Sequence, residues 1–237
     1  MKIAFITDIH SNIYALETVW KDLQERGLKE VYCLGDLVGY GPFPNEVIDF
    51  LKEKKVPTIQ GNYDEKVGEG LFLEDSHYTG TKVNKPSPQS LIWTQENTTN
   101  NNKKWLNDLP KEMIIEIEGK KLLLVHGSPR RNNEYLYEES HVLEEIADLV
   151  DVDILLCGHT HKPFHKVIKG LNIINVGSVG KPKTGNPKAT YAILEIEANV
   201  IDLEIIEVNY DYEKMAKAIE NSGLPNEFTE KIRKGID

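Results

Sequence analysis

The stretch Lys2-Ile3-Ala4-Phe5-Ile6-Thr7-Asp8-Ile9-His10, residues 2–10, joins a short β-rich apolar run to two polar side chains set two positions apart. Reading outward from it, residues 13–25 carry Ile13, Leu16, Trp20 and Leu23 at helical spacing and stop at Gly27, a residue type common just past a helix end. Residues 31–34 read as a second strand, residues 44–54 set Val47, Ile48 and Leu51 on one helical face, and residues 57–59 read as a third strand. This βαβαβ order predicts parallel pairing, and open sheets of that kind bind ligands in the crevice beyond the strand C-terminal ends. Chemistry is therefore expected where each strand runs out.

Five polar signatures stand at such places: Asp8-Ile9-His10, Gly35-Asp36, Gly61-Asn62, His126-Gly127 and Gly158-His159-Thr160-His161. They supply two Asp, one Asn and four His, the mixed oxygen and nitrogen donor set that borderline divalent cations such as Mn²⁺, Fe²⁺, Zn²⁺ or Ni²⁺ accept. Seven donors are enough for two ions. On an extended segment, residues two apart project to the same side, so Asp8 with His10, and His159 with His161, are each expected to clamp one ion. Two cations about 3.5–4 Å apart need a shared anionic ligand, and Asp36 is the candidate bridge. Such a pair lowers the pKa of a bound water and yields a hydroxide that attacks phosphorus in line. Glycine before Asp36, Asn62 and His159 lets the backbone turn tightly enough to aim them.

Composition narrows the partners. With 237 residues and 40% hydrophobic content the chain can bury a large core as one domain. A formal net charge of −10 speaks against binding nucleic acid through its backbone, which requires a basic surface. Met1-Lys2 leads directly into the first strand, which argues against a cleavable signal, and no apolar run reaches the ~18 residues that cross a bilayer. Cys33 and Cys157 each lie inside an apolar run and read as buried strand thiols. The expectation is a cytoplasmic protein with a small phosphorylated substrate and no membrane partner, while a homo-oligomer stays open.

Beyond Asp64 the pattern weakens through Gly68, Gly70 and Gly80 before two short helices at about 88–96 and about 100–109. We read residues of about 65–112 as an inserted helical cap beside the site, a plain helical connection being the alternative. Residues 114–117 and 121–125 flank Glu118-Gly119-Lys120 as a hairpin, residues 141–150 form a helix, and residues 154–157 and 172–176 are strands. A last hairpin is expected over 191–196 and 200–208, then two C-terminal helices within about 211–234.

The full motif series, Asp8-Ile9-His10, Gly35-Asp36-Leu37-Val38-Gly39-Tyr40-Gly41-Pro42, Gly61-Asn62-Tyr63-Asp64, Val125-His126-Gly127-Ser128-Pro129 and Gly158-His159-Thr160-His161, resembles that of the calcineurin-like metallophosphoesterase superfamily, and within it the small prokaryotic phosphodiesterase branch. The resemblance runs through about residue 196 and includes Asn175-Val176-Gly177-Ser178-Val179-Gly180. It implies an α/β fold, the α/β/β/α sandwich of two mixed sheets flanked by helices. It also implies that Asp8, His10, Asp36 and His161 hold one metal while Asp36, Asn62, His126 and His159 hold the other. The activity implied is hydrolysis of small phosphodiesters or nucleotide-type phosphoanhydrides. Alternatives are a phosphomonoesterase, a protein phosphatase, a nuclease, or a non-catalytic metal-binding scaffold of the same fold.

Two departures bear on mechanism. After the ligand Asn the family commonly carries a His that contacts phosphate and protonates the leaving oxygen, and here that position is Tyr63. Phenol is a weak acid, so esters with acidic leaving groups are expected to be favoured. Tyr40 stands where related phosphatases carry a phosphate-binding Arg, which leaves Arg130 and Arg131 as substitutes from another loop or as surface charges. Asn12, at the start of the first helix, is expected to bind substrate anion or to cap the helix. His77 and His141 read as surface residues, and His165 as a minor candidate near the site.

Overall fold

The computed structural model describes residues 1–70, 85–197 and 200–237; His77 and Gly80 lie outside these. The first sheet has the order β2-β1-β8-β9, formed by β1 (Lys2–Ile6), β2 (Val31–Cys33), β8 (Ala189–Glu197) and β9 (Val200–Val208). The second has the order β3-β4-β5-β7-β6, formed by β3 (Glu112–Ile117), β4 (Lys120–Val125), β5 (Ile154–Cys157), β6 (Phe164–Ile168) and β7 (Leu171–Asn175). Both sheets are mixed: β1 runs parallel to β2 and antiparallel to β8, while β5 runs parallel to both β4 and β7.

Period-two alternation explains the layers. Ile3 and Phe5 of β1, Leu122 and Leu124 of β4, and Ile154 and Leu156 of β5 meet between the sheets. Ala4 and Ile6 point the other way, to α1 (Ile13–Glu25) and α2 (Pro44–Lys54). Leu123, Val125, Leu155 and Cys157 face α6 (Val142–Leu149). Strands buried on both faces read as continuous apolar runs, which is how they look in the sequence. The result is the expected α/β/β/α sandwich, with Cys33 and Cys157 buried as free thiols.

Several details differ from the sequence reading. The third strand at 57–59 shrinks to a single parallel bridge between Cys33 and Thr58. Pro57 has no N–H to donate, and Gln60 N already turns away to Pro110 O at 2.7 Å. Asn62 opens an unforeseen helix, α3 (Asn62–Glu69), because Asp64 caps it by accepting from Gly61 N at 2.8 Å. β6 was also not foreseen, since it pairs as a short edge strand with only β7. The hairpin turn at Glu118 and Gly119 has φ of 49° and 74°, the left-handed pair that a two-residue loop requires. The remaining helices are α4 (Pro86–Asn97), α5 (Asn100–Asn107), α7 (Tyr212–Glu220) and α8 (Glu227–Lys234). Among the described residues no helix is long and apolar enough to cross a membrane.

Candidate metal centre

The loops leaving β1 and β2 stay zipped together past the strands: Asp8 N donates to Gly35 O at 2.9 Å, His10 N to Asp36 O at 3.0 Å and Ser11 N to Leu37 O at 2.7 Å. Asp8, His10 and Asp36 thereby share one ledge. They do not reach it on extended backbone, as the two-residue spacing suggested. Asp8, His10, Asp36, His159 and His161 all adopt left-handed φ, between 49° and 65°. Each such conformation costs a non-glycine residue about 1 kcal/mol or more, and the surrounding hydrogen bonds impose it.

One oxygen of each carboxylate is tied down and the other is released into the cluster. Asp8 Oδ2 accepts from His159 N at 2.9 Å, and Asp36 Oδ1 accepts from Tyr63 N at 2.8 Å in the first turn of α3. Asp8 Oδ1 then lies 3.2 Å from His161 Nε2 and 3.6 Å from His10 Nε2. Asp36 Oδ2 lies 3.7 Å from His10 Nε2 and 3.4 Å from His126 Nε2. Asn62 Oδ1 is 3.2 Å from His126 Nε2. Asp8, His10 and His161 form one compact donor group and Asp36, His126 and His159 a second, all six buried.

The histidine tautomers suit coordination. Nδ1 of His10 donates to Val38 O at 3.0 Å, Nδ1 of His126 to Leu34 O at 2.9 Å, and Nδ1 of His161 to Lys181 O at 2.5 Å. A carbonyl only accepts, so in the neutral rings the Nε2 lone pairs face the cluster. His10 Nε2 and His161 Nε2 sit 3.2 Å apart. Asp8 Oδ1 and His159 Nε2 are buried with no hydrogen-bond partner among the described residues. Lone pairs turned on one another, with orphaned donor atoms among them, fit divalent cations rather than a self-satisfied polar core.

Electrostatics divide the ligands. Burial opposes ionisation of Asp8 and Asp36, yet the surrounding histidines hold both carboxyls below their usual range. Burial pushes His159 and His161 down to about 4. Burial also works to lower His126, but the Asp36 and Asp8 carboxylates prevail and raise it to about 10. Asp64 is pushed up to about 7 by burial and by Asp36, while it caps α3 and accepts from Leu37 N at 2.9 Å.

A cavity of about 280 Å³ opens over the cluster, with His10, Asp36, Asn62, His159 and His161 in its wall. Tyr63 lines it too, its hydroxyl donating to the Tyr40 hydroxyl, and burial pushes the Tyr63 phenol well above its usual value. Lys66, Ser87, Asn133, Tyr135 and Lys183 also line the cavity, none of them marked by a sequence motif for metal or phosphate. The Tyr135-Leu136-Tyr137 alternation after His126-Gly127 was the available signal for one of them.

Two expected substrate-binding residues are elsewhere. Asn12 is fully buried as the cap of α1, accepting from Ala15 N at 3.1 Å and donating to Gly180 O at 2.9 Å and to Tyr210 Oη at 3.1 Å, which leaves neither N–H to offer an anion. Arg130 lies outside the cavity wall because Glu134 and Glu145 take its guanidinium at 2.6 and 2.7 Å. His165 does not line the cavity either; it is exposed on β6, its Nε2 3.0 Å from Asn172 Oδ1.

Paired Asp/His groups at the strand ends of a two-sheet sandwich offer a donor set suited to divalent cations. Residues 1–199 match the calcineurin-like phosphoesterase superfamily domain, and the chain belongs to that family. Over 245 aligned residues it is 32% identical to the uncharacterized protein MJ0912 of Methanocaldococcus jannaschii, covering 97% of this chain and 96% of that one. It is 28% identical to the phosphodiesterase YfcE of Escherichia coli K12, covering 82% of this chain and 88% of that one. The crystal structure of a metallophosphoesterase from Sphaerobacter thermophilus superposes with a TM-score of 0.83 at 27% identity, covering 100% of this chain and 99% of that one.

Proposed function

We propose that this chain hydrolyses small phosphodiesters or nucleotide-type phosphoanhydrides, with Asp8, His10, Asp36 and His161 holding one divalent cation and Asp36, Asn62, His126 and His159 holding a second. The observation that carries the reading is Asp36 Oδ2, which stands 3.7 Å from His10 Nε2 and 3.4 Å from His126 Nε2 and so lies within reach of both groups. Bound Mn²⁺, Fe²⁺, Zn²⁺ or Ni²⁺ would supply the positive charge that acidifies water and polarises phosphoryl oxygens. The description of YfcE as a phosphodiesterase supports the choice of substrate class.

The chain's own groups would do the rest. Asn62 stands in the cavity wall, where its amide can orient a phosphoryl oxygen, and Lys66 and Lys183 add positive charge at the rim. Tyr63 Oη points its proton at Tyr40 Oη and, with a raised pKa, gives it up reluctantly. Leaving groups that depart without protonation are therefore preferred. We further read α3, α4 and α5 as a cap on a single domain, because Lys66 of α3 and Ser87 of α4 reach the cavity wall. The two buried thiols support a reducing, cytoplasmic setting.

The test is to incubate Mn²⁺-loaded protein with matched phosphomonoesters, phosphodiesters and dinucleoside polyphosphates beside an Asp36→Asn control. Diesters or anhydrides should turn over fastest and the control should lose at least ~100-fold. Equal rates in both proteins would overturn the reading.

A further inference from the structure

Tyr135 and Tyr137 stand in the loop after His126-Gly127 as a parallel pair, ring centroids 5.7 Å apart and planes 4° from parallel. Tyr135 in turn lies against the imidazole of His159, centroids 4.1 Å apart at 29°. Three rings thus form a ladder that leads from the metal centre toward solvent. Both tyrosines are about half open, with exposures of 48% and 46%. Tyr135 borders the inner cavity over the ligand cluster and also an adjoining outer cavity of about 190 Å³, where Tyr137 joins it. The one ring is therefore shared between the place where phosphate would react and the space beside it.

We propose that Tyr135 and Tyr137 form a stacking subsite for the planar aromatic group of a phosphate ester, either a nucleobase or an aryl group. Offset stacking on tyrosine tolerates any flat π-system, so the subsite selects for aromaticity rather than for one base. An ester whose second group is small and aliphatic leaves the ladder uncovered and forgoes that contact. The inference rests on the phosphoesterase reading for what holds the phosphate, but not for what holds the ring. It is also separate from leaving-group acidity, because it concerns contact area and not bond breaking.

Phosphonates separate the two ideas, since their carbon–phosphorus bond survives hydrolysis. Calorimetric titration of Mn²⁺-loaded protein with phenylphosphonate, methylphosphonate and a phosphonate analogue of adenosine monophosphate should show the aromatic ligands binding about tenfold more tightly than methylphosphonate. Tyr135→Leu should collapse that ratio toward one, and Tyr135→Phe should retain it. Tyr137→Leu, at the outer ring of the ladder, should lower it as well and guards against a misfolded Tyr135 variant. Tighter binding of the adenosine analogue than of phenylphosphonate assigns the subsite to nucleobases, and the reverse assigns it to aryl groups. A ratio near one in the wild type, a ratio unmoved by either Leu variant, or no binding of any phosphonate overturns the proposal. Aromatic preference without turnover of any ester would instead sink the hydrolase reading alone.

Discussion

Gly61 packs so closely on Asp36 that a Cβ at position 61 would lie 2.1 Å from the Asp36 main-chain nitrogen and 2.3 Å from its Oδ1. The contact works in both directions, since a Cβ on Gly35 would fall 2.4 Å from Gly61 N. Two loops that each deliver a candidate ligand touch backbone to backbone, and neither can retreat without moving Asp36 or Asn62. Gly61→Ala is therefore expected to cost about 1–3 kcal/mol of stability and to lower metal content as well. Urea denaturation together with elemental analysis checks this, and an alanine variant that keeps both stability and metal would show that the loops have slack.

Metal affinity should depend on pH through His126. In the metal-free protein its raised pKa adds stability that is complete below the unfolded value of 6.5 and is lost as pH rises through about 10. A cation at Nε2 has to displace that proton, whereas His159 and His161, at about 4, are already neutral at pH 7. Apparent Mn²⁺ affinity should therefore climb about tenfold per pH unit between about pH 7 and about pH 9. Chelator competition measures it, and a flat profile would take His126 out of the centre.

Tyr63→His should raise kcat on alkyl phosphodiesters by about 100-fold, the lower end of the usual range for general acid catalysis, and change p-nitrophenyl esters little. The variant also breaks the Tyr63–Tyr40 hydroxyl contact, so Tyr63→Phe serves as the control for that loss alone. An unchanged ratio of alkyl to aryl rates would mean that position 63 is not where the leaving oxygen is protonated.

Arg130→Ala should leave KM for small phosphate esters unchanged, because Glu134 and Glu145 already engage the guanidinium outside the cavity wall. Steady-state kinetics decide it, and a KM rise of tenfold or more would restore Arg130 to substrate binding.

Added Mn²⁺ should raise the melting temperature, since a ligand at 100 times its Kd stabilises the native state by about 2.7 kcal/mol. Asp36→Asn should blunt this shift, because Asp36 Oδ2 is the oxygen near both His10 and His126. Thermal melts with and without chelator give the comparison, and identical curves would exclude binding at this cluster.

What could be read from the chain alone was whatever local periodicity and strand-end placement encode. The helices at 13–25 and 44–54, the apolar strand runs and the seven polar side chains that follow such runs all depend on near neighbours. Tertiary structure decided the rest, because it depends on residues far apart in sequence. His161 meets His10 across 151 positions, and the left-handed turns that aim Asp8 and His10 exist only while Gly35 and Asp36 carbonyls accept their amides. Arg130 and Asn12 look equally able to bind phosphate when read as letters, but Glu134, Glu145 and Gly180 O had already claimed them. Tyr135 stands out in the sequence only through its alternation with Tyr137, and its place against His159 exists only in the fold. A polar side chain has few bonds to give, and only the folded neighbourhood determines which are already taken.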